Sequence, residues 1–568
     1  MKMQYHSIRK QMKRAAWLLL GSFILPSSFF TFTSCTEPES SLVEFVEDNH
    51  LDTPNDTVYS LLGIISKMQL IADRTVLLGE VRGDLTSLTD HANLNLQALA
   101  NFTADAANPY NKPSDYYAVI QNCNYFLATA DMNLTKRGVK VFEKEYAVIK
   151  AYRAWIYMQL ALNYGSVPFY TEPLLTEKDA DPDRFPKYDI QQIADYFISD
   201  LAPYVDTEYP DYGVMASFPS RTFYIPVRVL LGDLCLWAGR YTEAARYYHD
   251  YLTKQGNIHP TGVNSQGWLD YTFETLLVYG GMYSSTDETV TIIPMEEEEF
   301  DGTVSYLDDV FESTEDNNYY YQAEASPAYK ELSRSQRYTL VYSDPVTLLR
   351  DTIEPPADKV YADENQRGDL RLYCNYTVRS LASGSTNYSS VYQQFEKCHE
   401  NYVTIYRLQP IYLRYAEALN RAGFPEAAFF VLKYGLCNDN MDKYMSAEER
   451  TAAGDLIAFS SYTFTPSNTH GIHARGSGEA NADKTYIIPA LPSKADSILY
   501  VENKICDEMA LETAGEGFRF YDLMRIALRR DDTSFLAQKG ASRKGSANFD
   551  GELYTKLTNK SNWYLPLK

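Results

Sequence analysis

Val229-Leu230-Leu231-Gly232-Asp233-Leu234-Cys235-Leu236-Trp237-Ala238-Gly239-Arg240-Tyr241-Thr242-Glu243-Ala244-Ala245 has a counterpart later in the chain, Leu413-Arg414-Tyr415-Ala416-Glu417-Ala418-Leu419-Asn420-Arg421-Ala422-Gly423-Phe424-Pro425-Glu426-Ala427-Ala428. Each stretch runs through an apolar helical segment and places an acid, Asp233 or Glu417, six residues before a glycine. Each then passes through Ala-Gly and a short turn and closes on Glu-Ala-Ala, the turn being one residue shorter in the second copy. The pattern reads as a helix–turn–helix written twice. The alanine pairs let two antiparallel helices approach closely, and Gly239 and Gly423 are expected to permit the tight turn between them. The copies stand about 180 residues apart, so they form an interrupted set and not a tandem array.

Outward from these copies the helical period continues. Leu61, Leu62, Ile65, Met68, Leu70 and Ala72 recur at three-to-four spacing, and a second helix is predicted from Ser114 to Ala130. From Glu143 to Tyr164 the residues Ala147, Ala151, Ala154, Met158 and Ala161 make a stripe of small side chains, with Gly165 as the stop and Val167-Pro168 forcing extended chain. Residues 255–400 differ. They are rich in Gly, Ser, Asp, Thr and Tyr, with short β-like runs such as Glu288-Thr289-Val290-Thr291-Ile292-Ile293. The fold class expected is mainly α: tetratricopeptide-like helix pairs as scaffold, with a large loop-rich insert carrying small hairpins. Helix pairs of this kind present surfaces to protein partners, and loops on a rigid scaffold are the usual carriers of binding.

The N-terminus reads as a processing segment. Lys2, Arg9, Lys10, Lys13 and Arg14 precede an apolar run from Ala15 to Leu25, too short to span a bilayer. Phe32-Thr33-Ser34-Cys35 resembles a lipobox, departing from it in Phe32 where leucine is usual; cleavage without lipidation is the alternative. Lipidation of Cys35 would anchor the mature chain. Residues 1–34 are thus expected to be a signal peptide and 35–55 the lipidated cysteine and a polar tether. Net charge is −23 for the whole chain. Removing five basic residues with the signal makes it −28, which disfavours nucleic acid as a partner. Tyrosine is abundant, 48 against 5 tryptophans. It suits both helix contacts and wet binding surfaces.

No catalytic constellation is legible, and neither an enzyme activity nor a cofactor is expected. His399-Glu400-Asn401-Tyr402-Val403 lacks the second histidine of a zinc helix. His470 and His473 read as a loop pair. Asp179, Asp181 and Asp183 begin like a calcium loop, but Arg184 and Ile190 stand where glycine and a bidentate glutamate are needed. Glu296 to Glu299 reads as a solvated run. Arg82-Gly83-Asp84 reads as a buried polar turn, because it closes an apolar run. Of the later cysteines, Cys123, Cys235 and Cys506 lie in helical patterns; a Cys374–Cys398 disulfide is left open by the sequence.

Several motifs, in order, resemble those of SusD/RagB-like proteins, a family of Bacteroidetes-type outer-membrane nutrient-uptake lipoproteins. They are Leu77-Leu78-Gly79-Glu80-Val81-Arg82-Gly83-Asp84; Ile120 to Asn124 with Phe126-Leu127; Arg153-Ala154-Trp155 with Leu160 and Tyr164-Gly165-Ser166-Val167-Pro168; Arg414 to Asn420; and Glu516-Gly517-Phe518-Arg519-Phe520-Tyr521-Asp522-Leu523-Met524-Arg525. The last carries Phe520-Tyr521 where Trp-Phe is common. A weaker match is the tail Asn562 to Leu567. The resemblance spans roughly residues 58–568 and implies one SusD-like domain over 56–568: an N-terminal helical part (56–254), the insert (255–400) and a C-terminal helical part (401–568). It also implies a cell-surface, lipid-anchored protein of the outer membrane. Such a protein captures a ligand, an oligosaccharide or a peptide, and delivers it to a SusC-like TonB-dependent β-barrel transporter. A non-transport adhesin or structural lipoprotein is the rival reading. In family terms the ligand face draws on Phe102 and Tyr110 before the Asn124 helix, and on Trp268, Tyr283, Tyr319, Tyr320 and Tyr321 in the insert. The last three stand among Asn317, Asn318 and Gln322. Sugar rings would stack on the aromatic faces while amides read hydroxyls.

Overall fold

The computed structural model describes residues 56–567 except 255–269, 273–274, 278–287, 296–303, 313–321, 354–367, 383–388, 399–400 and the positions 338, 344–345, 348–349, 468 and 479. Cys35, the signal sequence and Glu296–Glu299 lie outside the described residues. So do Trp268, Tyr283, Tyr319, Tyr320 and Tyr321.

The fold is mainly helical. The principal helices are α1 (Asp56–Val81), α2 (Leu94–Ala100), α3 (Pro113–Thr129), α4 (Glu143–Tyr164), α5 (Ile190–Leu201), α6 (Val227–Ala238), α7 (Tyr241–Thr253), α8 (Leu408–Arg421), α9 (Pro425–Leu432), α10 (Lys494–Thr513), α11 (Arg519–Arg530), α12 (Thr533–Ala541) and α13 (Gly551–Leu557). Neighbours in sequence pack as pairs, α3 on α4, α6 on α7, α8 on α9 and α12 on α13. The alanine stripe of α4 is buried along its length, and α4 is enclosed on nearly every side. Tyrosine does much of the interior packing: Tyr116, Tyr152, Tyr157, Tyr224, Tyr248, Tyr251 and Tyr329 are fully buried.

The two sequence copies are α6–α7 and α8–α9, and they touch. Helix α7 packs directly on α8, although the whole insert separates them in the chain. The insert is stitched to the scaffold by Thr289–Pro294, well inside it, pairing antiparallel with Tyr402–Arg407 just past its end. The equivalent acids of the two copies do equivalent things. Asp233 accepts hydrogen bonds from Tyr248 (2.5 Å), Tyr406 (2.6 Å) and Arg414 (2.9 Å), joining copy one to copy two. Glu417 accepts from Arg421 (3.0 Å) and Arg525 (2.6 Å), joining copy two to α11.

Both helix ends close in the same way. Arg240 N–H donates to Cys235 O at 2.8 Å and Phe424 N–H to Leu419 O at 2.9 Å, around glycines at φ +77° and +97°. This is the left-handed glycine cap. Glycine is required here through the backbone angle of the turn and not through crowding. The nearest atom to a Cβ at Gly239 would be Arg529 Nη1 at 3.4 Å, and to one at Gly423 Lys494 Nζ at 4.0 Å, both ordinary contacts. What excludes a side chain is the backbone angle. Gly239→Ala and Gly423→Ala are therefore each expected to cost about 1–2 kcal/mol, measured as a shift in urea midpoint. A loss several times larger would show a packing role that the geometry lacks.

The end of α1 and the C-terminal part of the chain are clasped together. Gly79 lies against the backbone of Gly517, so close that a Cβ would come within 1.7 Å of Gly517 O. Gly517 N–H donates to Glu80 Oε1 (2.9 Å), and Arg519 grips Asp84 through both carboxylate oxygens (2.6 and 3.0 Å). Arg82 donates to Asn163 Oδ1 (2.5 Å), to Tyr521 Oη (3.2 Å) and to Trp563 O (3.1 Å), and Leu565 N–H donates to Asn163 O (2.8 Å). Arg82-Gly83-Asp84 is thus the buried polar turn the sequence suggested.

Candidate functional site

The motifs that carry the family resemblance are interior. Around α10, Arg475 holds Glu288 with two bonds (2.9 and 3.2 Å) and Glu512 at 3.1 Å. Arg407 donates to Glu512 (2.7 Å) and to both oxygens of Glu516 (2.9 and 2.7 Å). Arg371 reaches Asp369, Glu508 (2.7 Å) and Glu512 (3.3 Å), and Lys397 pairs with Glu516. His473 sits in a turn, with its Nδ1 2.6 Å from Glu508 Oε1 and its ring stacked on Tyr486 at 3.9 Å. Burial works to raise the Glu508 carboxyl, but His473 and Arg371 outweigh it and hold the group at about 2. Burial likewise opposes ionisation of Glu512, and Arg475, Arg407 and Arg371 override it, holding that carboxyl well below its usual range. Charged hydrogen bonds of this kind satisfy groups that could not stay buried alone. They fasten the insert residues Glu288, Asp369, Arg371 and Lys397 to the C-terminal helices, and so place the insert.

A cleft of about 50 Å³ opens between α4, α6, α8 and α11, lined by Trp155, Gln159, Asp233, Trp237, Arg414 and Arg525 among others. It holds roughly three or four waters, not a sugar ring. Its charged walls are the scaffold pairs already described.

The exposed loop face is different. Of the aromatics expected to meet ligand, Phe102 turns inward. At φ +54° it sets its ring 5.6 Å from Phe520, beside Arg82, Trp563 and Tyr564, as part of the terminal clasp. Tyr110 is half-buried. Its hydroxyl accepts from Asn93 Nδ2 (3.2 Å) and its ring lies 6.5 Å from Tyr306. The same Asn93 donates through its backbone N–H (3.0 Å) and Nδ2 (2.9 Å) to Gln322 Oε1. Gln322 directly follows Tyr321, so the structure brings Tyr110 to the end of the tyrosine-rich part of the insert. A short antiparallel pair, Thr86–Leu88 with Ala323–Ala325, fixes that meeting. Beneath it, Ser305 Oγ and Tyr306 N–H both donate to Asp73 at 2.7 Å, while burial pushes the Asp73 carboxyl up to about 6. Leu94, first residue of α2, stands 80% exposed next to the capping Asn93. Sequence reasoning passed over Asn93 and Tyr306. Asn93 carried a signal, an N-cap residue before a short helix, whereas nothing local marks Tyr306.

The remaining candidates are structural or solvated. Asp181 and Asp183 are exposed, and Asp179 takes hydrogen bonds from Thr176 and Arg184. Cys398 is a free buried thiol donating to Gly515 O at 3.6 Å, so it forms no disulfide with Cys374; burial pushes it well above the usual thiol range. Among the described residues, no cluster of three or more His, Cys, Asp or Glu is arranged to hold a metal ion, and no helix is long and apolar enough to cross a membrane.

No family model matches the chain, and no curated protein sequence matches it. Solved structures do. A SusD superfamily protein from Bacteroides thetaiotaomicron aligns with a TM-score of 0.52 at 15% identity, covering 84% of this chain and 89% of its own. A SusD superfamily protein from Bacteroides vulgatus aligns with a TM-score of 0.52 at 12% identity, covering 90% and 96%. A Bacteroides vulgatus protein described as sugar binding aligns with a TM-score of 0.52 at 16% identity, covering 84% and 88%. The chain therefore has the SusD-like fold. At these identities the likeness is one of architecture, and the ligand face must be argued from the residues present.

Proposed function

We propose that this protein is a lipid-anchored binding subunit of the outer membrane, acylated at Cys35 and facing the exterior. It captures an oligosaccharide and delivers it to a SusC-like TonB-dependent β-barrel. The observation that carries the reading is the junction of Tyr110, Asn93 and Gln322, where the tyrosine-rich insert meets the loop before α3 on a SusD-like scaffold. Amides beside half-exposed aromatic rings suit a neutral, hydroxyl-rich ligand, and a mature charge near −28 disfavours a polyanionic one. Similarity in fold to a protein described as sugar binding supports the same class. In this reading the carboxylates of the buried cluster, Glu508 and Glu512, serve the scaffold: arginines and His473 hold them ionised.

A glycan and peptide array on the mature protein tests the reading, followed by titration calorimetry with the best binder. Replacing Tyr319, Tyr320 and Tyr321 together by alanine, or Tyr110 alone, is expected to weaken binding at least several-fold, in keeping with stacking contributions of about 1–3 kcal/mol seen for bases on aromatic rings. The helical circular dichroism should not change. Binding of peptides but no glycan would move the ligand class, and equal affinities of wild type and variants would remove this face as the site.

A further inference from the structure

One end of the molecule carries a charge pattern that the binding reading does not use. Between α3 and α4 a short hairpin, Thr135–Lys136 paired with Val139–Lys140, projects with all six of its residues exposed. Its turn is Arg137-Gly138, both at positive φ (+54° and +80°), the two-residue turn that suits a tight hairpin. Lys136, Arg137 and Lys140 make it basic in a strongly acidic chain, and Val139 is 63% exposed between them.

Its position is fixed by the helices. Arg74, late in α1, pairs with Asp115 at the start of α3 at 2.6 Å, so α3 runs antiparallel to α1 and ends beside the beginning of α1. That beginning is tied to the same end of the molecule. The Thr57 side chain hydrogen-bonds Tyr212, and Tyr212 Oη donates to Glu145 Oε1 in the first turn of α4 at 2.5 Å. A second hairpin, Val214–Met215 with Phe218–Pro219, follows Tyr212 directly and leaves Val214 73% exposed. The hairpin 135–140 thus stands at the end of the molecule where α1 begins, at Asp56. The acids nearest to it in sequence, Asp131 and Glu143, flank its base. Lys144 is engaged with Glu208 at 2.7 Å and leaves the three hairpin cations free of that pair.

From this we infer that the hairpin 135–140 is a membrane-apposing contact that docks on an anionic lipid surface beside the tether. This inference rests on the lipid-anchor reading of Cys35. A tether of about 20 residues spans up to about 70 Å when extended, and so fixes proximity without fixing orientation. Once the chain is anchored, a basic tip next to the attachment point meets the surface at high effective concentration. Charges on the body more than a Debye length away, about 8 Å in physiological salt, are screened and do not cancel it. The exposed valines can enter the interface while the cations meet lipid phosphates.

The test uses the Cys35→Ala chain, which removes acylation, with vesicles of phosphatidylcholine alone or containing phosphatidylglycerol. Cosedimentation is expected only with the anionic vesicles and should weaken as salt rises. Lys136→Glu together with Lys140→Glu leaves the Arg137-Gly138 turn intact and should lower that binding by at least about tenfold, with an unchanged melting curve. Binding that ignores phosphatidylglycerol, or that survives the double charge reversal, overturns the inference. So does a double variant that keeps vesicle binding but loses a protein captured from outer membranes, which would assign the hairpin to an acidic protein surface. The anchor reading fails separately, if Cys35→Ala in cells stays in the membrane fraction as firmly as the unmodified protein.

Discussion

Replacing Gly79 by valine is expected to cost the fold at least about 4 kcal/mol, among the largest effects a single substitution has. The cause is local and rigid. The new Cβ would sit 1.7 Å from Gly517 O and 2.4 Å from Gly517 C, and a backbone carbonyl cannot swing away as a side chain can. Relief would require moving the Glu516-Gly517 turn, which breaks the Gly517 N–H bond to Glu80 and draws Arg519 from Asp84. Gly63 lies in the same helix with nothing within 4 Å of a Cβ. Gly63→Ala should stabilise by about 1 kcal/mol, because glycine is the poorer helix former. Urea unfolding of the two variants should therefore move in opposite directions. A tolerated Gly79→Val would mean that α1 and the start of α11 do not pack as described.

Glu512→Ala is the second large effect, expected at about 3–5 kcal/mol at neutral pH. It leaves Arg475, Arg407 and Arg371 buried together around a missing acceptor. The pH dependence has a definite sign. Both Glu508, held at about 2, and Glu512 are lowered in the folded state from an ordinary value of 4.5. Their contribution is fully present above about 4.5 and is lost as pH falls toward 2. The gap in stability between wild type and Glu512→Ala should therefore be widest near neutrality and narrow in acid. A gap that widens as pH falls would show that the arginines are neutralised by something other than these carboxylates.

Legibility divided along a physical line. The helix copies, the Ala stripe of α4, the glycine stops and the β-like run at Thr289 were readable because each is a local pattern whose period or cap is written in adjacent residues. Partners were not. Asp84 and Arg519 stand 435 positions apart and Arg407 and Glu512 105 apart, and nothing in either neighbourhood names the other. The same limit hid the partners of the turn residue His473, because Glu508 and Tyr486 are supplied by other segments. Tyr110 and Phe102 are equally aromatic and equally in a loop, and a one-dimensional pattern does not encode that the first meets Asn93 and Tyr306 while the second meets Phe520.

The contact of α7 with α8 has a consequence for how such a protein can diversify. The helices that flank the insert pack on each other, and the insert is held between them by the strand pairs Thr289–Pro294 with Tyr402–Arg407 and Thr86–Leu88 with Ala323–Ala325 and by the arginine–glutamate cluster. For a loop whose ends are so held, doubling its length adds only about 0.6 kcal/mol of closure entropy. New segments can therefore be grown, shortened or exchanged beyond the latch while the helices keep their register. The scaffold works as a socket of fixed gauge, and ligand choice can change by replacing what is plugged into it.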